Sequence, residues 1–341
     1  MVEPASQIRN NIAAWKVTLD GKDLTSTIQP RLLSISLTEK RSEKSDELTI
    51  VVHDADGKME LPRAGVFIHL SLGWKQGGDV TPGLVAKGKY KVDEVSMDGP
   101  PDKITIIARS ADLTEKYRKR RDKSWIGKSI GAIIGEIAAN HGLTAAVHPT
   151  LAGIIIPVQE TAATSDMMFV RNLARRHDAV GTVKNGKLIF APIGQGTTAT
   201  GKAIPAITLT RRDNDTFSYR RADRNRNYDG VEANYRDQNK AKRTLVTVGG
   251  TKNPKRLKKI YGNEQDARRA VEAENKRIKR SAAQMDYGLA LGMAEIYPDQ
   301  KVTVLGMKAE ISNQKWLVDE VQHTLDGSGG FKTRLILEAA G

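Results

Sequence analysis

Val92-Asp93-Glu94-Val95 follows Tyr90-Lys91 and precedes an Asp98-Gly99 turn and an apolar run from Ile104 to Ala108. Near the C-terminus Trp316-Leu317-Val318-Asp319-Glu320-Val321 precedes Asp326-Gly327 and Leu335-Ile336-Leu337. The two VDEV segments align without a gap, 226 residues apart from 92 to 318 and from 95 to 321. An alternating, strand-like run precedes each, Val66 to Leu72 in the first and Val302 to Leu305 in the second. Four residues of apolar-acidic alternation recur by chance in strands. The shared order of aromatic, strand, Asp-Gly turn and second apolar strand does not recur so easily. The period is too long for a solenoid, whose repeats run to roughly 20–50 residues. It predicts two copies of one β-domain, which can present two similar faces.

Outside these segments, 341 residues suffice for two or three domains with separate cores. With 39% hydrophobic and 28% charged residues the chain reads as globular and not disordered. No run approaches the roughly 18 apolar residues of a membrane span, and Met1 to Asn11 lacks the apolar centre of a signal peptide. Folding in a cytoplasm and no membrane insertion by this chain are therefore expected. Cysteine is absent, which excludes disulfides, thiolate-bound metals and thiol nucleophiles. The net charge of +14 favours acidic partners or nucleic acid, or marks a solvated basic face.

Residues 14 to 110 read as strands separated by turns, the pattern of a barrel or sandwich. Asp20-Gly21 signals a hairpin because both central positions of a type I′ turn need positive φ. The pattern changes at Asp112. Ser124 is expected to cap a helix with Ile126, Ile130, Ile133, Ile134 and Ile137 on one face and His141-Gly142 at its end. A second helix from Thr164 or Ser165 buries Phe169, Val170, Leu173 and Ala174, and leads to a hairpin turning at Asn185-Gly186. Gly194 to Lys202 has the composition of a linker. Strands at Ile207 to Leu209 and Val231 to Tyr235 follow, then a charged helix over 264–285 capped by Asn263. Its thin apolar stripe requires a neighbour to lie on.

Few residues suggest chemistry. Gly127-Lys128-Ser129 matches the end of a phosphate loop, but the glycine required five residues earlier is Asp122 and no strand is expected to feed it. His53, His69, His141, His148, His177 and His323 show no HExxH spacing, so no metal site is assigned. No GxSxG elbow supports a serine nucleophile. Asp93-Glu94 and Asp319-Glu320 could suggest a glycosidase pair, yet neighbours on a strand face opposite ways. No catalytic, cofactor-binding or metal residues are assigned, and no cofactor is expected.

The basic clusters carry more weight. Lys116 to Lys123 holds six cations, Arg211 to Arg226 six arginines and Lys240 to Arg280 fourteen Lys or Arg, with Tyr117, Tyr219, Tyr228 and Tyr261 nearby. Nucleic-acid sites combine such charge with stacking aromatics. An acidic neighbour in an assembly would be complemented equally well, and no helix-turn-helix, zinc finger or RNP motif frames the clusters.

Ser165-Asp166-Met167-Met168-Phe169-Val170-Arg171-Asn172-Leu173-Ala174-Arg175-Arg176, with Val183 and Gly186-Lys187-Leu188-Ile189-Phe190, resembles the central signature of phage late control D proteins. Trp125 to Leu143 looks like the helix preceding it, and Trp316-Leu317-Val318 with Val321, His323, Gly330-Phe331 and Thr333-Arg334-Leu335 looks like the family's C-terminal strand pair. The resemblance covers nearly the whole chain. It implies a β-rich α+β chain with two tube-like antiparallel β-barrels produced by internal duplication. The expected divisions are a first barrel over 1–110, an α+β insertion over 111–200 and a second barrel over 201–341 bearing the charged helix.

Such proteins are structural baseplate hubs of contractile phage tails and tailocins, similar to the N-terminal hub part of VgrG. The resemblance implies a homotrimer whose six barrels form a pseudo-sixfold ring joining the hexameric tail tube to the trimeric spike, with other baseplate proteins around it. It also implies a channel for tape measure protein or DNA, assembly in the host bacterial cytoplasm, a place in the virion tail, and no enzyme activity. The chain stops at Gly341 without a spike or lysozyme-like segment, so puncture is expected to fall to other proteins. A nucleic-acid-binding protein using segments 211–280 is the alternative; phosphate binding would weaken steeply with salt.

Overall fold

The computed structural model describes residues 10–41, 45–110, 117, 119–221, 228–237, 242–326 and 330–340. The first third forms strands β1 (Ile12–Leu19), β2 (Lys22–Asp23), β3 (Leu32–Lys40), β4 (Glu47–His53), β5 (Phe67–Gln76), β6 (Gly83–Asp98) and β7 (Lys103–Arg109). There follow β8 (Arg120–Ser129), helix α1 (Ile130–Asn140), β9 (Thr144–Val147), β10 (Ile155–Ser165), helix α2 (Asp166–Arg176), β11 (Ala179–Lys184) and β12 (Lys187–Pro192). The last third comprises β13 (Ile207–Thr210), β14 (Thr216–Arg221), β15 (Gly230–Asp237), β16 (Lys242–Gly249), β17 (Pro254–Arg256), helix α3 (Glu264–Arg280), β18 (Ala283–Leu289), β19 (Lys301–Leu305), β20 (Trp316–Asp326) and β21 (Gly330–Ala339). The fold is thus β-rich with few helices.

One 13-stranded sheet runs through both ends of the chain in the order β14-β18-β21-β20-β3-β4-β7-β6-β5-β1-β2, with β19 on β20 and β13 on β19. Its joint is the antiparallel pairing of β3 with β20, from Ser34 opposite Asp326 to Lys40 opposite Glu320. Alternation puts Ile35, Leu37, Leu48 and Ile50 into a core with Leu70, Tyr90, Val92, Ile104 and Ala108. A second core gathers Met285, Tyr287, Val302, Val304, Trp316, Val318, Val321, Leu335 and Leu337. Two of the predicted turns take the expected conformation, Asp20 and Gly21 with φ of 46° and 86° and Asn185 and Gly186 with 49° and 71°, whereas Asp98 and Gly99 have no positive φ.

Two smaller units sit outside this sheet. In the first, α1 and α2 bury Ile130, Ile133, Ile134, Ile137, Phe169, Val170 and Leu173 against Trp125, Leu188 and Phe190. Ser165 caps α2 by accepting from the Met168 amide at 3.3 Å, as expected. The helix expected from Ser124 begins later. Residues 120–129 are strand β8 paired with β10, Ser129 is the cap accepting from the Ala132 amide at 3.2 Å, and Ile126 is exposed. Ile126 falls in phase with the helical isoleucines by coincidence, and pairing with β10 overrides that period.

The second unit pairs β15 with β16 and β17 and lays α3 across them, burying Val231, Ala233, Val246, Ala267 and Val271. This is the neighbour the helix's thin stripe required. The helix ends at Arg280 instead of 285, because Met285 is drawn into β18, where it is buried against the second core. Asn263 caps it, accepting from the Asp266 amide at 2.8 Å, and Arg277, Lys279 and Arg280 face the negative end of its dipole.

Candidate assembly surface

The repeated motif forms the same local structure twice. On β6, Val92 lies opposite Ala108 and Glu94 opposite Ile107 of β7, so Asp93 is an extra residue; on β20, Val318 lies opposite Leu337 and Glu320 opposite Ile336 of β21, so Asp319 is the extra residue. Each is a β-bulge, which locally increases twist and re-aims side chains. The flanking strands also correspond: β7 pairs with β4 and β4 with β3, while β21 pairs with β18 and β18 with β14. On the other side β5 lies along the start of β6, and β19 along the start of β20.

The bulge also corrects the alternation argument for the paired carboxylates. Asp93 and Glu94 are both exposed, as neighbours at a bulge can be. Three of the four carboxylates are engaged in ion pairs: Asp93 with Arg109, Asp319 with Arg41 at 2.8 Å, and Glu320 with Lys40 at 2.9 Å across the β3–β20 joint.

Beneath that joint lies a buried ionic cluster. The Lys87 ammonium of β6 reaches Glu39 of β3 at 2.6 Å and donates to the carbonyls of Ala294 and Ile296 at 3.0 and 3.3 Å, over the face of Tyr297. His323 of β20 lies 3.5 Å from Glu39 and holds Thr333 through Nδ1 at 2.9 Å. Burial opposes ionisation of Glu39, but the neighbouring His323 imidazole and the charge of Lys87 outweigh it and lower its pKa.

A second network ties the outer units to the sheet. Arg280, at the end of α3, forks onto Asp178, beside α2, and its Nε lies 3.1 Å from Glu338 of β21; Arg41 reaches the same Glu338 oxygen at 2.6 Å. Asp299 borders this network and accepts from the Gly194 amide at 3.1 Å. Burial pushes its carboxyl up to about 6, against the pull of Arg41 and the Gly194 amide. A carboxyl whose folded pKa lies above its ordinary 3.8 holds its proton more tightly folded than unfolded. Its contribution therefore falls as pH rises from about 4 through 6. Asp299→Asn remains neutral, and asparagine tolerates the φ of 68° at this position. It should raise the denaturant midpoint at pH 7.5, equivalent to about 1–3 kcal/mol, and leave it unchanged near pH 4. A variant no more stable at either pH would refute this.

The other candidates resolve as structure. A strand, β8, does feed Gly127-Lys128-Ser129, contrary to expectation, but Lys128 is paired with Glu136 at 2.7 Å and Ser129 caps α1. His53 contacts the Pro30 carbonyl, His141 pairs with Asp166 at 2.7 Å, His148 bonds the Thr150 and Thr197 hydroxyls at 2.8 and 3.1 Å, His177 sits at the end of α2 and His69 is exposed on β5. Many cations of the basic segments are matched: Lys255 and Arg277 with Glu274, Arg256 with Glu232, Arg268 with Glu264, Arg269 with Asp266 and Arg280 with Asp178. Residues 116, 118, 222–227 and 240–241 of those segments, and Gly327 of the second Asp-Gly turn, lie outside the described residues. Sequence reasoning missed the bulges and both ionic networks, whose partners are far apart in the chain.

Residues 64–329 match the family described as phage tail baseplate hub (GPD). The chain is 36% identical to the "Probable baseplate hub protein" of Escherichia phage P2, over 95% of this chain and 92% of that relative. Its fold is similar to that of the prophage MuSo2 43 kDa tail protein from Shewanella oneidensis, with a TM-score of 0.68 at 13% identity over 96% of this chain and 98% of that one. It is also similar to the E. coli c3393 protein, a component of the type VI secretion system, with a TM-score of 0.55 at 10% identity over 91% and 73% of the two chains.

Proposed function

Because the chain belongs to the phage tail baseplate hub family, a family of structural virion proteins and not enzymes, we propose that it forms a homotrimeric ring joining the tail tube to the spike. In this reading residues 1–110 and 201–341 each supply one tube-like barrel domain, residues 111–200 are an insertion, and the ring assembles in the host cytoplasm. Three copies of a chain with two equivalent barrels offer six similar positions to a hexameric tube and three to a trimeric spike. The channel would pass tape measure protein or DNA, and other baseplate proteins would surround it.

The observation that carries this reading is the bulge shared by the two VDEV strands, together with their matching order of neighbours. A repeat in sequence alone could be a chance motif. A repeat of register, irregularity and flanking strands supports two equivalent domains. Light scattering of the purified chain, alone and with its cognate spike protein, tests it. The expected mass of the chain's own oligomer is three times 37.4 kDa. A chain that stays monomeric at every concentration, with and without the spike, would overturn the reading, and salt-sensitive binding to nucleic acid would then become the alternative to pursue.

A further inference from the structure

The correspondence between the two halves fixes a register that the single chain uses only once. Equating β6 with β20 and following the pairings outward makes Leu48 of β4 equivalent to Met285 of β18, and Leu37 of β3 equivalent to Tyr219 of β14. Inside the chain β3 also pairs with β20. The equivalent pairing would be β14 with the second half of β6, and it does not occur within the chain: among the described residues, β14 pairs only with β18, and β6 beyond Val92 pairs only with β7.

Burial records what is missing. On the paired edges Ile35, Leu37, Glu39, Val321 and His323 are buried. At the equivalent positions Phe217 is 41% exposed, Arg221 exposed, Met97 51% exposed, and Tyr219 and Val95 only half-buried. Open edges of this kind recruit a further strand. We propose that β14 of one copy pairs antiparallel with residues 95–98 of β6 in a second copy, placing Val95 opposite Arg221, Ser96 opposite Arg220, Met97 opposite Tyr219 and Asp98 opposite Ser218. The proposal rests on the ring reading above and names the contact that closes it.

Charge selects the same pairing. β14 carries Arg220 and Arg221, whereas the free end of β6 carries Glu94 and Asp98 beside Asp93. Pairing β14 with β14, or β6 with β6, would set like charges together; pairing one with the other sets opposite charges together. The contact is therefore heterologous, and heterologous contacts close into rings when their rotation permits.

The native chain has no cysteine, so engineered cysteines report cleanly. Two full-length variants, S96C/R220C and M97C/Y219C, cover adjacent cross-strand pairs. Such pairs alternate between hydrogen-bonded and non-hydrogen-bonded geometry, so one of them has the close spacing a disulfide requires. After mild oxidation at least one variant should give a reducible ladder of covalent oligomers ending in a closed ring, while the single-cysteine chains and the out-of-register D98C/R221C chain should give at least tenfold less. An oligomer seen by light scattering without a register-specific ladder would overturn the strand pairing and leave the ring reading standing. A chain monomeric at all concentrations, with and without spike protein, and without a ladder would overturn both.

Discussion

Replacing Lys87 by methionine should destabilise the protein by about 3–5 kcal/mol, the cost of leaving one partner of a buried ion pair uncompensated. The side chain is fully covered, and its ammonium serves Glu39, two backbone carbonyls and the Tyr297 ring together. Those carbonyls belong to residues 294 and 296, in a segment that no strand pairs. Lysine thus supplies hydrogen bonds between the halves that sheet formation does not. Removing it leaves Glu39 with His323 alone, 3.5 Å away, and burial, already the largest influence on that carboxyl, would then raise its pKa instead of being overruled. The sign of the pH dependence follows. In the variant the folded carboxyl would titrate above its unfolded value of 4.5, so the defect should deepen as pH rises from 4.5 and shrink in more acidic solution. Lys87→Met/Glu39→Gln should recover most of the loss, because replacing both partners removes the unpaired charge. Urea midpoints of the two variants at pH 4.5 and pH 8 measure both effects. A single variant as stable as the parent, or a defect independent of pH, would refute the assignment.

What was legible in the sequence followed from local rules. The VDEV repeat was visible because both copies carry the same bulge, which keeps Val92 and Val318 on the core side despite the inserted acid. Asn185-Gly186, the cap at Ser165 and the thin stripe of α3 were equally readable, each depending on a few neighbouring residues. The β3–β20 joint was not. Glu39 and His323 occupy buried positions where an apolar residue would have advertised a core strand, and only their pairing with each other and with Lys87 permits it. Residues 124–129 were misread because Ile126 falls in phase with the isoleucines of α1, although pairing with β10, 26 residues or more further on, decides its conformation. The basic segments suggested nucleic acid because some of their carboxylate partners, such as Glu232 for Arg256 and Asp178 for Arg280, stand well away in sequence.

Arg280 should be comparably sensitive, and the form of its effect separates docking from folding. Its guanidinium forks onto Asp178 beside α2 while its Nε serves Glu338 on the sheet, so one residue links three units. Arg280→Ala would leave the buried Asp178 without its fork and the half-buried Glu338 with Arg41 alone, at an expected cost of about 3–5 kcal/mol. Arg280→Lys should restore less than half of it, since a single ammonium cannot reproduce the planar fork that holds both Asp178 oxygens. The cores of the outer units, built on Ile134 and Val170 in one and Val231 and Val271 in the other, do not include Arg280. The alanine variant should therefore keep its secondary structure and first lose amide protection where the units meet, around Asp178 and the end of α3. Hydrogen exchange read by fragment tests this directly: faster exchange confined to residues 174–181 and 276–282 is the expected result. Uniform acceleration through both cores would instead make Arg280 part of the folding of each unit, and the linking role assigned to it would be wrong.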